Sequence, residues 1–403
     1  MILSNVQLLL ILEIYMMKVT RSKNISFKGK IIDAHTHVGK WGQALYSQND
    51  LDIFIKSSLD GGDVIEKMIV SNLSCIEPEG ILDEMQGNKQ LLEIAKNNPK
   101  IAPLAVCQPN ITNGDTTLIE RLFKENPDSF TGLKFHPKSM QLSASDRAYD
   151  SYLDFAHKHN LPCLFHSDRT FDVDYGQGNI VKRCEYSRPD QIYELAKRHK
   201  DVPVILGHMG GNTGNNTKSA IDIMVESIEN NSAKLYADIS WVNADTTEKP
   251  DIIEAIKMLK NTSKGDKTDR LLFGTDAPIG RFGANGENGL KPREAYQKVV
   301  TDVKNAIKNA FSQKEAEELI EKIFYKNADN LFFSKSQKRA VLKKLPVYAG
   351  ITVLGVALSF LGVKMHNKKD IPVLKNIQNE QSVNKTDTFA SSSKIFSAFN
   401  INS

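Results

Sequence analysis

Two histidines one residue apart, His35 and His37, close an apolar run that reads Ile31-Ile32-Asp33-Ala34-His35-Thr36-His37. On a β-strand alternate side chains share a face, so both imidazoles point the same way. A pair of imidazoles at a strand end can chelate a divalent metal. Other short apolar runs end in Phe165-His166, Gly207-His208 and Gly274-Thr275-Asp276, so each delivers a ligand or proton carrier to a strand end.

His166 would complete a three-nitrogen set with His35 and His37. His136, at the end of Gly132-Leu133-Lys134-Phe135-His136-Pro137, competes with it for the third position. Asp276 can bind metal, take the proton from an attacking water, or both; as Asp-x-Pro it could also simply cap a helix. His208, between glycines, suits proton transfer near neutral pH, with a fourth ligand or a plain loop histidine as the alternatives. Asp33 shares strand parity with His35 and is expected to fix a ligand histidine's tautomer. Lys134 shares parity with His136 and should face inward. There it could hold an anionic substrate, be carboxylated to bridge two metals, or pair with an inward acid. Arg169 is either a partner for a substrate carboxylate or a surface arginine. Three nitrogens and a carboxylate leave a metal position open for water, whose pKa falls towards ~7 while a carbonyl is polarised.

Something must bring these residues together. Short runs rich in Ile, Val, Leu and Phe predict strands at 30–36, 67–71, 101–106, 131–136, 162–166, 202–207, 235–239 and 271–274. Amphipathic segments at 149–159, 191–200, 221–230 and 252–259 predict helices between them, with Pro189 suiting a helix start. Eight strands alternating with helices point to a parallel α/β fold, the (β/α)8 TIM barrel, whose active sites lie at the C-terminal ends of the strands. The candidates fall at such ends on the first, fourth, fifth, sixth and eighth strands. The runner-up, an open doubly wound sheet, would normally carry a glycine-rich loop after its first strand, and none follows 30–36.

The chain of 403 residues can hold one large domain plus appendages, and its formal charge of +4 is small, so no nucleic-acid partner is expected. Cys75, Cys107, Cys163 and Cys184 form no C-x-x-C pair and read as buried thiols in a reducing compartment. Residues 1–29 are a separate extension. Its apolar start carries Asn5, Gln7 and Glu13, which makes a poor signal peptide or membrane span, and translation could begin at Met16 or Met17. The barrel is expected over 30–333 and a basic linker over 334–344. Residues 345–363 hold no charged side chain and would span about 28 Å as a helix, near a bilayer's core thickness. They are read as a transmembrane helix, with a helix packed on the barrel as the alternative, and 364–403 as a disordered polar tail. A slight excess of lysine and arginine before 345–363 favours a cytoplasmic barrel tethered to the membrane.

The stretches 32–37, 132–137, 164–166, 206–211 and 273–276, with the closing run 323–332, resemble the amidohydrolase superfamily, in particular its amidohydrolase-related branch, similar to aminocarboxymuconate semialdehyde decarboxylase. The resemblance covers about 30–333. It implies a distorted (β/α)8 barrel and one divalent metal, often zinc, on His35, His37, His166 and Asp276, with His208 polarising or deprotonating water. A second metal on carboxylated Lys134 would follow other branches. Members either hydrolyse amide, ester or lactone bonds or remove carboxylate groups. The expected function is therefore a metal-dependent hydrolase of a small molecule. A decarboxylase using Lys134, Arg169 and Arg281 is the first alternative, and a catalytically dead, membrane-tethered binding protein the second. Expected partners are a small-molecule substrate and the membrane, with a homo-oligomer left open.

Overall fold

The computed structural model describes residues 29–333 apart from 57, 77–81, 169–171, 174–179, 182–185, 212–218, 243–250, 280–281 and 283–288. The expected membrane helix at 345–363, the linker before it, the tail after it, the N-terminal extension, Arg169, Cys184 and Arg281 lie outside the described residues. Among the described residues no helix is long and apolar enough to cross a membrane.

The strands run in chain order as β1 (Lys30–Trp41), β2 (Ala44–Tyr46), β3 (Val64–Asn72), β4 (Ile101–Val106), β5 (Gly132–Phe135) and β6 (Cys163–Phe165). A short antiparallel pair, β7 (Asp172–Val173) and β8 (Ile180–Val181), precedes β9 (Pro203–Leu206), β10 (Lys234–Asp238) and β11 (Leu271–Leu272). All eight expected strands are present. They join, with β2, in one sheet of order β11-β10-β9-β6-β5-β4-β3-β1-β2, parallel except for the β1–β2 pair.

The sheet curls until its last strand meets its first. The Ala34 N–H donates to the Phe273 carbonyl at 2.8 Å, Asp276 N–H to the His35 carbonyl at 2.8 Å and His37 N–H to the Ala277 carbonyl at 2.8 Å. A parallel bridge pairs Thr36 with Ala277. The result is a mixed α/β, TIM-barrel-like architecture, with the four expected helices observed as Asp150–His159, Pro189–Arg198, Ala220–Glu229 and Ile252–Lys260.

Two apolar layers follow from strand alternation. Ile32, Ala34, Ile69, Ala102, Leu104, Leu164, Ile205 and Leu272 line the inside, where Tyr325, Ala328 and Phe332 of the closing helical segment join them. Neighbouring strand residues such as Ile31, Val70, Ala105, Phe165 and Leu206 face the helices instead. β1 breaks its own alternation. Asp33 pairs with Met68 and Thr36 with Val70, so Ala34 and His35 together oppose Ile69 alone. This extra residue is a β-bulge, and it inverts the parity of everything beyond it.

Asp33 is accordingly not aligned with His35. It faces the helix layer, accepting from Tyr296 Oη at 2.9 Å, Thr275 Oγ1 at 2.6 Å, Thr275 N–H at 3.0 Å and the His35 N–H at 3.2 Å. The expected partnership with a histidine ring is corrected by the bulge: Asp33 staples the closing strand to β1. Burial pushes its carboxyl up to about 7, against the pull of those four donors. Replacing it strands several buried donors at once. Asp33→Ala is expected to lower unfolding free energy by about 3 kcal/mol in denaturant titration.

A second buried acid sits away from this seam. Glu84 opens the helix Glu84–Asn97 and accepts from Tyr152 Oη at 2.6 Å and from the Gln108 N–H, while its Oε2 is buried without a hydrogen-bond partner. Burial raises its carboxyl to about 7 from an ordinary 4.5. A raised folded pKa means stability that is complete below 4.5 and lost as pH climbs through about 7. Glu84→Gln should remove that loss, gaining on the order of 3 kcal/mol over wild type between pH 4.5 and pH 8 in pH-dependent melts.

Candidate metal centre

The bulge in β1 turns His35 and His37 inward, their ring centroids 4.9 Å apart. His37 stands in register with Ser71 on β3, and its Nδ1 lies 2.8 Å from Ser71 Oγ. His35 Nδ1 lies 3.0 Å from Asp238 Oδ2 at the end of β10. With Nδ1 engaged, each ring turns Nε2 to a common centre. There Asp276 Oδ1 stands 2.8 Å from His37 Nε2 and 3.4 Å from His35 Nε2.

Asp276 reaches this point because its N–H is tied to the His35 carbonyl and its backbone is left-handed, with φ of +67°. His208 follows β9 in a tight turn and is also left-handed, with φ of +57°. Its Nδ1 lies 2.8 Å from Ser240 Oγ and its Nε2 lies 3.1 Å from His166 Nδ1. The turn packs tightly: a Cβ on Gly207 would come within 2.8 Å of the Phe165 carbonyl oxygen and 3.3 Å of the His35 ring. Only glycine fits this approach without a shift.

His35, His208 and Asp276 offer ligand atoms that all lie within 4.8 Å of one another. His37 joins them through Asp276, and His166 through His208. His166 Nε2 is buried with no hydrogen-bond partner. His136 lies behind, stacked on His166 at 4.0 Å, and its Nδ1 accepts from the Ser139 N–H at 3.2 Å. Of the two competitors for the third nitrogen, His166 is therefore the one in direct contact with the cluster.

Lys134 points inward, as its parity requires: it pairs laterally with the core residue Leu164. Fully buried, it brings Nζ to 2.8 Å from His35 Nε2. Burial pulls its pKa down to about 8, against the attraction of Asp276 and Asp238.

Burial likewise holds His35, His37, His136, His166 and His208 below the usual imidazole value, so their lone pairs are available at neutral pH. Burial opposes ionisation of Asp276 and Asp238 too, yet the surrounding histidines hold both carboxyls low. A largely buried cluster of imidazoles around a carboxylate, with ligand atoms of His35, His208 and Asp276 converging, fits a divalent cation.

The sequence reading passed over Ser71, Asp238, Ser240 and Trp241. Asp238 had a legible signal: it is an acid inside the apolar strand run 235–239. The two serines and the tryptophan had none, because their importance comes only from what they touch.

A family profile described as Amidohydrolase matches residues 32–333. No curated protein matches the chain. Among solved structures, 2,6-dihydroxybenzoate decarboxylase from Rhizobium is 16% identical, covering 75% of this chain and 98% of its own, with a TM-score of 0.47. Amidohydrolase 2 from Bifidobacterium longum subsp. infantis is 14% identical over 75% of this chain and 98% of its own, at 0.43. The 5-carboxyvanillate decarboxylase of Novosphingobium aromaticivorans, solved with manganese, is 12% identical over 67% and 77%, at 0.44.

Partners that orient a ligand histidine govern metal affinity. Asp238→Asn is expected to weaken uptake of a divalent cation by about 10- to 100-fold in chelator competition, with the far-ultraviolet circular dichroism unchanged. Equal affinity would show that Asp238 does not set the His35 tautomer.

Proposed function

The chain belongs to the amidohydrolase family, and from that premise we propose that it is a metal-dependent hydrolase acting on an amide, ester or lactone bond of a small molecule. The observation that carries the proposal is the convergence of His35, His208 and Asp276, with His37 and His166 in contact, at the C-terminal ends of the strands. In our reading His35, His37, His166 and Asp276 would hold one divalent cation, zinc being the first candidate. When bound it would supply the positive charge that acidifies water and polarises a carbonyl.

The chain's own groups supply the proton handling. Asp276 is ionised with Oδ1 beside His35 and His37, and it is proposed both to bind the cation and to take the proton of an attacking water. His208 sets Nδ1 against Ser240 Oγ and Nε2 against His166 Nδ1, and Nε2, on the side of the cluster, is proposed as the atom that exchanges a proton with a leaving group. Lys134 offers an ammonium for an anionic part of the substrate, and Arg169 and His136 are proposed to help bind it.

Decarboxylation is the second reading, and Lys134 favours it. A buried ammonium beside His35, with its pKa lowered to about 8, is a cation that a substrate carboxylate could pair with during its loss. The tail at 345–363 is still proposed as a membrane tether of the catalytic domain.

Purified protein should contain about one equivalent of divalent metal, lost in the His35→Ala/His37→Ala variant. Unchanged metal content would end the site assignment. Turnover of small esters, lactones and aromatic acids in 18O-labelled water separates the two reactions. Label in the organic product marks hydrolysis, whereas carbon dioxide release with an unlabelled organic product marks decarboxylation and overturns the first reading.

A further inference from the structure

We propose that Trp241 is a positioning residue for Asp276: its indole N–H holds the outer carboxylate oxygen, so that the inner oxygen alone serves the histidine cluster. This rests on the cluster being a cation site. Nε1 of Trp241 donates to Asp276 Oδ2 at 2.7 Å, while Oδ1 is the oxygen beside His35 and His37.

The two oxygens are thereby given different tasks. An untethered carboxylate can turn and ligate through either oxygen or both. A donor fixed on Oδ2 stops that rotation and leaves one oxygen for a cation. An indole N–H can only donate.

Position and conformation support a functional role. Trp241 is 43% exposed, so burial of apolar surface does not account for its placement. Its φ is +60°, a left-handed conformation that a bulky side chain adopts only where its surroundings impose it, commonly at functional sites. Its neighbours share the task. Asp238 engages His35 Nδ1, Ser240 engages His208 Nδ1 and Trp241 engages Asp276 Oδ2. The end of β10 and the turn after it thus grip each of the three residues whose ligand atoms converge.

The experiment compares Trp241→Phe, which keeps an aromatic ring without the donor, with Trp241→Gln, which keeps a donor without the ring. Metal-free wild type and variants are titrated with Zn2+ and Mn2+ against a chelator. Trp241→Phe should bind about 10- to 100-fold more weakly, and Trp241→Gln within a few-fold of wild type. Equal binding by Trp241→Phe, or equal losses in both variants, overturns the positioning role. Wild type that takes up no metal overturns the cation site itself, and this role with it. A second measurement needs no change at Trp241. The chain has two tryptophans, so in Trp41→Phe the indole emission is that of Trp241 alone. It should change on adding Zn2+ and saturate at the binding stoichiometry; a flat response overturns the proposal.

Discussion

The seam between β1 and the last strand is the constraint on which the site depends. Three backbone hydrogen bonds, from Ala34, Asp276 and His37 N–H groups, fix the register between two segments some 240 residues apart in sequence. Asp276 can meet His35 and His37 only because this register places it beside them. A slip of one residue would turn its side chain to the other face. The seam is therefore reinforced from behind: Asp33 binds both the N–H and the hydroxyl of Thr275, and Tyr296 of the helix Pro292–Ala310 binds Asp33 in turn. A carboxylate turned away from the site thus decides whether the site closes.

Electrostatics explains why this arrangement is costly and why it is useful. Burying several imidazoles, two carboxylates and an ammonium together opposes every charged form among them. The histidines respond by staying neutral, which is the form that ligates a cation. The carboxylates stay ionised because the imidazoles around them and Lys134 favour their charge. What is left is a largely buried set of ionised carboxylates and imidazole donors. Neutral apolar residues would be the more stable filling, so the arrangement makes physical sense where a cation restores the balance.

Much of this was legible in the sequence, because strands buried on both faces announce themselves as apolar runs and the site residues sit at their ends. The spacing His35-Thr36-His37, the histidines at 166 and 208 and Asp276 led to the cluster directly. Parity placed Lys134 inside correctly. The same rule failed for Asp33, since a bulge adds a residue without leaving any mark in the hydrophobic pattern. It also could not rank His136 against His166: both end strands, and only the stacking of one upon the other puts His166 next to His208. The strand β2 and the helices Gln48–Ile55 and Pro292–Ala310 were not anticipated; β2 is three residues long and leaves little pattern, whereas Pro292–Ala310 carried a legible signal in its apolar residues at helical spacing after a proline.

Positive φ at non-glycine residues occurs in turns elsewhere, at Asn113, Asp128, Gln141, Asn160 and Asn231, but at the site it falls on residues that carry functional groups. His208, Trp241 and Asp276 follow β9, β10 and β11, adjacent strands of the sheet, and all three hold positive φ values of +57°, +60° and +67°. Glycine would adopt this conformation at less cost, as Gly210 and Gly211 do nearby. But glycine carries no imidazole, indole or carboxylate. Along an extended strand a side chain stands perpendicular to the sheet, whereas a left-handed residue just past the strand end bends back over the barrel mouth. Three neighbouring strands that end this way aim three different functional groups at one point. The local strain is carried by the hydrogen bonds each group makes on arrival, to Ser240, to Asp276 and to the His35 carbonyl. The end of β10 and the turn that follows it therefore hold the cluster in shape, on a register that the seam between β1 and the last strand sets.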